Sequence, residues 1–128
     1  MNLLVDTQSF IWFCSESGAL PAEIRNIMND KKNNLKISIA SLWEITIKMS
    51  LSKLVLAWEI DEIIKKTYNE GFEILHIDTQ SLLVLRNLKF IHKDPFDRMI
   101  ISQSIFWNIP VISSDKIFKD YNVNLIWE

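Results

Sequence analysis

Short apolar runs alternate along the chain with longer segments whose apolar residues recur at helical spacing. The first run, Leu3-Leu4-Val5, is continuously apolar, as is typical of a parallel strand covered on both faces. This alternation predicts an α/β fold, a three-layer sandwich in which helices flank a central parallel sheet of about five strands. The predicted strands span residues 2–6, 36–39, 72–77, 111–113 and 124–126; one predicted helix ends at residue 13 and the others span 22–29, 41–51, 59–69, 79–88 and 95–107.

Size and composition predict one compact domain, residues 1–128. Hydrophobic residues make up 48% of the chain, and two glycines and three prolines are too few for a disordered segment. The single cysteine, Cys14, excludes an internal disulfide and fits a reducing compartment, with a small buried side chain as its predicted role. No basic leader and no apolar stretch of about 20 residues is present, so we expect a soluble, cytoplasmic protein that does not enter a membrane.

The net charge of −2 argues against a protein that holds nucleic acid by bulk positive charge. That argument weakens if several acidic side chains bind metal ions, because a bound cation reverses the local field.

Four acidic residues are predicted to meet at one edge of the sheet. Asp6 ends the first strand, and Asp115 follows the strand at residues 111–113. Glu44 and Asp97 fall in the first turns of predicted helices. Open parallel sheets bind ligands beyond the carboxyl ends of their strands. Mg²⁺ prefers carboxylate oxygens and keeps several waters, which further acids can orient. The placement therefore predicts an acidic metal site.

Helix capping is the alternative role for three of these acids. Ser41 and Glu44 fit a capping box. Asp94 precedes a proline at the first helical position, and Asp97 would then stabilise the helix dipole. Asp115 has a similar alternative as the cap of a short helix over residues 116–119, whereas a strand-ending acid such as Asp6 has no capping task of its own.

Four segments also carry a family likeness, in the expected order and over nearly the whole chain. The chain resembles the PIN-domain ribonucleases, and within them the VapC-like toxins of bacterial type II toxin–antitoxin pairs. The segments are LVDTQSFIW at 4–12, SIASLWEI at 38–45 with its continuation to residue 54, HKDPFDR at 92–98, and ISSD at 112–115.

The resemblance implies an acidic pocket made by Asp6, Glu44, Asp97 and Asp115. It makes Asp6 and Asp97 the candidate direct ligands of Mg²⁺, for which Mn²⁺ would substitute. It further implies cleavage of single-stranded or looped RNA, a homodimer, and a cognate antitoxin protein as partner. The chain departs from the family pattern at Gln8, Ser52 and Ser113, which replace a common histidine, glycine and threonine.

Several further residues are candidates for supporting roles. Asp94 belongs to the most specific of the four segments, Arg98 is a candidate for a phosphate contact or a structural ion pair, and Ser113 for a hydrogen bond to an acid across the pocket. Most of the five tryptophans are expected in the core. Trp58, in a turn before a helix, is instead a candidate for partner contact, because aromatic residues are enriched at interfaces.

Three alternatives to the metal-dependent nuclease stay open. A metal-free ribonuclease would use histidines as general acid and base, but His76 falls in a predicted strand, and His92 is expected in a loop or supporting role. An aspartyl-phosphate phosphatase commonly needs an acid two residues after its nucleophile, where this chain has Gln8. The third alternative is an inactive PIN-like binding module that acts through protein or RNA contacts and whose acids only cap helices.

Overall fold

The computed structural model describes residues 1–127 and contains a five-stranded, wholly parallel sheet. The strands lie in the order β3-β2-β1-β4-β5, which confirms the predicted α/β fold. The strands are β1 (Asn2–Val5), β2 (Asn34–Ser38), β3 (Glu73–Leu75), β4 (Val111–Ile112) and β5 (Leu125–Ile126). The helices are α1 (Thr7–Cys14), α2 (Ala22–Asn29), α3 (Ile39–Ser50), α4 (Ile60–Asn69), α5 (Thr79–Asn87) and α6 (Pro95–Trp107), with a short 3-10 helix at Lys116–Asp120.

The strand order reverses beside β1, which places the predicted ligand site. The chain moves from β1 to β2 and β3 on one side, and later returns to add β4 and β5 on the other side. β1 pairs with β4 in the register Val5↔Ile112, so the residues that follow these two strands are neighbours. Such a reversal opens a crevice at the carboxyl ends of the strands. Asp6 and Ser113 directly follow β1 and β4 at this edge of the sheet.

Alternate residues of β1 enter two separate hydrophobic cores, as the pleat of a strand requires. Leu3 and Val5 join one core, and Leu4 joins the other, and all three are fully buried. The first core also contains Cys14, which is buried and free as predicted. Within residues 1–127 no helix has the length and apolar character needed to cross a membrane.

The start of α3 differs from the predicted position and changes the role of two residues. Ser38 caps the helix by accepting a hydrogen bond from the Ala40 backbone N–H, so the helix starts at Ile39. The predicted capping box of Ser41 and Glu44 is therefore wrong, and Glu44 lies in the second turn rather than the first. Because Glu44 does not cap the helix, its carboxylate can contact other residues.

Candidate active site

All four predicted acids line one open cavity of about 410 Å³ at the carboxyl edge of the sheet. Segments far apart in the sequence supply them, because the parallel topology brings strand ends and helix starts to the same edge. The lining also includes a fifth acid, Asp94, and a lysine, Lys48. The polar and charged residues of the wall are Asp6, Thr7, Gln8, Glu44, Lys48, Asp94, Asp97, Ser114 and Asp115.

Both carboxylate oxygens of Asp6 are held in place. Oδ1 accepts a hydrogen bond from the Ser9 backbone N–H at 2.9 Å, and Oδ2 accepts one from Ser113 Oγ at 2.6 Å. Asp6 is thus the N-cap of α1, and the expectation that it has no capping task is wrong. Burial raises the pKa of Asp6, against the lowering effect of its bonds to Ser113 and Ser9, and the charge of Asp115 raises it further.

Ser113 ties the end of β4 to the end of β1. Its buried hydroxyl donates to Asp6, which is the bond across the pocket predicted from the sequence, and accepts from the Asp115 backbone N–H at 3.0 Å. The serine that replaces the family's threonine therefore keeps the hydroxyl function.

Glu44 is buried and paired with two residues that the sequence analysis did not single out for the site. Its Oε1 accepts from Thr7 Oγ1 at 2.7 Å, and its Oε2 lies 2.6 Å from Lys48 Nζ. The lysine stands four residues later on the same helix, a spacing that brings side chains together and could have revealed the pair. The bond to Glu44 raises the pKa of Lys48, and the charges of Asp94 and Asp97 add to that effect.

Asp94 and Asp97 have different roles at the start of α6. Asp94 is the N-cap, and its Oδ1 accepts from the backbone N–H groups of Phe96 and Asp97, as the capping alternative predicts. The side chain of Asp97 is 21% exposed, and its Oδ2 lies 3.3 Å from His92 Nε2. The pKa of Asp97 is raised to about 6, mainly by burial and next by repulsion from Asp94. The hydrogen bond to His92 lowers this pKa and so opposes the rise. Asp6 and Glu44 also raise it, so these acids interact across the cavity.

Asp115 has both of the positions predicted for it, one in the wall of the cavity and one at the start of a short helix. It lines the cavity while its Oδ1 accepts from the Ile117 backbone N–H at 3.0 Å, which caps the 3-10 helix. Its exposed position contrasts with the burial of Asp6 and Glu44.

The family assignment follows from the sequence itself. The model of the PIN domain family matches residues 3–124. The chain belongs to the PIN-domain family. No curated protein sequence matches it.

Solved structures show the same fold over the whole length of this PIN domain. A chain from VapBC2 of Rickettsia felis, bound to a DNA fragment from its promoter, has a TM-score of 0.75 at 20% identity and 100% coverage of both chains. DNA-bound VapBC from Salmonella typhimurium gives a TM-score of 0.72 at 19% identity over 98% of this chain and 97% of the other. FitAcB from Neisseria gonorrhoeae gives a TM-score of 0.65 at 16% identity over 98% of this chain and 96% of the other.

Arg98 lies outside the cavity of the PIN domain. Its buried guanidinium donates from Nη1 to the Lys89 carbonyl at 2.8 Å and to the Tyr121 hydroxyl at 3.2 Å, and it stacks over the Phe90 ring at 4.5 Å. These partners are a carbonyl, a phenol and an aromatic ring rather than carboxylates. The expectation of an ion pair for Arg98 is therefore wrong within the described residues, and the phosphate contact stays a prediction that its buried position does not support.

PIN nucleases generally use divalent metal ions, and the acids of the cavity are the side chains that would hold one. Among residues 1–127, no group of three or more Asp, Glu, His or Cys side chains lies close enough to hold a metal ion between them. The four acids therefore do not form a preformed coordination shell in this part of the chain.

An open site for a hydrated cation does fit the donors present. Mg²⁺ binds through one or two carboxylates and keeps most of its waters. Burial, and after it neighbouring carboxylates, raise the pKa values of Asp6 and Asp97, so the folded protein disfavours their charged forms, which a bound dication would stabilise. Within the described residues Asp97 Oδ1 has no hydrogen-bond donor, which leaves it available as a ligand.

Exposed Trp43 and half-buried Phe96 form an aromatic contact that connects two of the acidic segments. The Trp43 ring packs edge-to-face on Phe96 at 5.3 Å, and the two residues adjoin Glu44 and Asp97 in sequence. Trp43 is 59% exposed, so the expectation that tryptophans serve the core is wrong at this position. Trp58 is half-buried, with Lys66 Nζ 5.0 Å from its ring, and its role in partner contact stays a prediction.

Proposed function

We propose that this PIN domain, acting as a single nuclease domain over residues 1–128, is a Mg²⁺-dependent endoribonuclease and the toxin of a toxin–antitoxin pair. One observation carries the proposal: acids from four separate segments line a single open cavity at the reversal of strand order. Two of them have pKa values raised by burial and by neighbouring charge. Folding has placed repelling charges together, which is the arrangement that a bound cation stabilises.

In this proposal Asp6 and Asp97 are the direct ligands of the cation. A bound Mg²⁺ or Mn²⁺ supplies an activated water and offsets charge that develops on the phosphate. The bonds from Ser9 and Ser113 fix the orientation of the Asp6 carboxylate. Glu44, itself fixed by Thr7 and Lys48, and Asp115 at the rim hold water molecules or a second ion.

The substrate class is supported by the aromatic pair beside the acids. Unpaired bases stack on exposed aromatic rings, whereas bases inside a duplex have no free face. Trp43, packed against Phe96, gives an unpaired base such a surface, and the two residues adjoin Glu44 and Asp97 in sequence. The net charge of −2 does not oppose RNA binding once a dication occupies the acidic cavity. With RNA as substrate, we propose a cytoplasmic location.

The toxin assignment is supported by likeness of fold to solved toxin–antitoxin complexes over the full chain. By this proposal the chain forms a homodimer and is inhibited by a cognate antitoxin protein. The surface around Trp58 is a candidate for one of these contacts. It borders a groove with several apolar residues, among them Met49, Leu54, Leu56 and Val55, the last of which is 87% exposed.

A second candidate function is the binding module without activity. It is favoured by the capping bonds of Asp6, Asp94 and Asp115, which give these acids structural roles without any metal ion. This candidate predicts that the acids are dispensable for any RNA cleavage or cellular toxicity.

Purified protein incubated with mixed single-stranded RNA separates these functions. We expect cleavage in Mn²⁺ or Mg²⁺ that leaves 5′-phosphate ends, stops in EDTA, and is lost in Asp6→Asn and Asp97→Asn. Asparagine is also a good N-cap and retains an oxygen for the Ser9 N–H, so Asp6→Asn should fold. Asp120→Asn, at an exposed acid that does not line the cavity, is the matched control.

Two results would contradict the proposed mechanism. Cleavage that survives EDTA and leaves cyclic phosphate ends indicates a metal-free ribonuclease. Cleavage and toxicity that are the same in wild type, Asp6→Asn and Asp97→Asn indicate that the acids have only structural roles.

A further inference from the structure

A chain of hydrogen bonds leads from the buried Arg98 to the cavity acid Asp97. Arg98 Nη1 donates to the Tyr121 hydroxyl at 3.2 Å, and that hydroxyl lies 2.7 Å from His92 Nδ1. On the other side of the imidazole ring, His92 Nε2 lies 3.3 Å from Asp97 Oδ2. The backbone N–H of His92 also donates to the Tyr121 hydroxyl, at 3.2 Å. The number of hydrogens on each of these groups fixes the direction of the bonds between them.

The Tyr121 hydroxyl has two lone pairs and one hydrogen. Two groups that can only donate, the Arg98 guanidinium and the His92 backbone N–H, occupy both lone pairs. The remaining contact of the hydroxyl, to His92 Nδ1, must therefore use its single hydrogen. It follows that Nδ1 accepts this hydrogen bond and carries no hydrogen itself.

With Nδ1 as acceptor, the ring hydrogen of His92 lies on Nε2 and points toward Asp97 Oδ2. We propose that His92 is a positioning residue whose Nε2–H tautomer, fixed by Tyr121 and Arg98, orients the Asp97 carboxylate and leaves Oδ1 for the cation. The part that concerns the cation rests on the proposed function, whereas the tautomer does not.

The anchor of this arrangement is buried and held by several contacts, as a positioning role requires. Tyr121 is 6% exposed and Arg98 is 7% exposed. Arg98 is held further by the Lys89 carbonyl and by the Phe90 ring, so it cannot turn toward the cavity without losing these contacts. The same geometry gives the buried Arg98 a role, although it does not face the site for an anionic substrate. Arg98 holds the Tyr121 hydroxyl, which in turn fixes the tautomer of His92.

The tautomer is measured directly by two-dimensional ¹H–¹⁵N correlation of the imidazole rings in ¹⁵N-labelled, metal-free protein. The two ring nitrogens resonate far apart when only one of them carries hydrogen. We expect His92 to show a single tautomer with hydrogen on Nε2, and Tyr121→Phe to convert it to a mixture. The exposed His76 gives the averaged pattern as an internal control. A His92 signal that is averaged like that of His76, or hydrogen on Nδ1, would overturn the proposal.

The effect of His92 on cation affinity is measured by calorimetric titration of the protein with Mn²⁺. His92→Leu removes the donor to Asp97, and we expect a roughly 10- to 100-fold weaker Mn²⁺ affinity, as for other residues that support metal ligands. His92→Gln restores an N–H donor and should recover most of the affinity, which a purely structural role would not explain. Equal Mn²⁺ affinity in wild type and a folded His92→Leu overturns the positioning role.

The proposed function and this inference fail in different ways. If wild type binds Mn²⁺ with the expected dependence on residue 92 but cleaves no RNA, the nuclease proposal is wrong and the positioning role stands. If wild type cleaves RNA in Mn²⁺ and His92→Leu binds Mn²⁺ as tightly as wild type, the positioning role is wrong and the nuclease proposal stands.

Discussion

Replacing Asp97 by asparagine should stabilise the metal-free protein near neutral pH. The pKa of Asp97 is raised from 3.8 to about 6 in the folded protein. Because the folded state holds the proton more tightly, stability falls as the pH rises through this interval, and the full cost is present above pH 6. A shift of this size corresponds to at most about 3 kcal/mol.

Asparagine removes the charge but also removes a favourable interaction. It loses an interaction with the α6 dipole of about 0.3–1 kcal/mol, whereas the effect of the bond from His92 is already part of the pKa shift. The net gain expected for Asp97→Asn above pH 7 is therefore at most about 2–3 kcal/mol, or roughly 7–10 °C in Tm for a domain of this size. Near the ordinary carboxyl pKa of 3.8 the gain should largely vanish.

Thermal denaturation in EDTA at several pH values measures this difference. Asp120→Asn makes the same chemical change at an exposed acid outside the cavity and should show no comparable gain. A Tm for Asp97→Asn that is at or below wild type above pH 7, or a difference that does not change with pH, would refute the reasoning from buried, repelling carboxylates.

Three further predictions test separate parts of the account. Mg²⁺ or Mn²⁺ should raise the Tm of wild type in proportion to the logarithm of its concentration above the Kd, and Asp97→Asn should lose most of this effect; equal shifts would count against a shared pocket. Trp43→Ala should weaken binding of single-stranded RNA to catalytically inactive protein by about 1–3 kcal/mol in a fluorescence titration, whereas Trp107→Ala, also at an exposed tryptophan, should not. Trp58→Ala should weaken the homodimer or the antitoxin complex in analytical ultracentrifugation, and the hypothesis fails if both assemblies stay intact.

Local patterns in the sequence predicted most of the fold, because strands and helices of this chain have distinct periodicities. The boundaries were less predictable where two residues of one type compete as caps. Ser38 and Ser41 are both acceptable N-caps, and only the end of β2 at Ser38 selects the former. The third strand also proved shorter than predicted, which leaves His76 exposed just beyond its end at Leu75. Strand order depends on pairing between distant segments and was not predicted.

The candidate site was predicted as a set of acids but not as a set of contacts. Strand ends and helix starts of a parallel sheet must meet at one edge, so the placement of Asp6 and Asp97 on one cavity followed from topology alone. The hydrogen bonds of His92 to Tyr121 could not be foreseen, because they join residues 29 positions apart with no periodic relation. Arg98 was misassigned for a similar reason, since its neighbours in sequence are acids but its neighbours in space are carbonyls and rings.

The central claim is that acids at the reversal of strand order bind a divalent cation. Crystals of the protein soaked in Mn²⁺ and measured for anomalous scattering test it most directly. The account predicts an anomalous peak in the cavity, within coordination distance of Asp6 or Asp97 and completed by water. Full Mn²⁺ exposure with no peak in this cavity, or a peak only at unrelated surface acids, would contradict it.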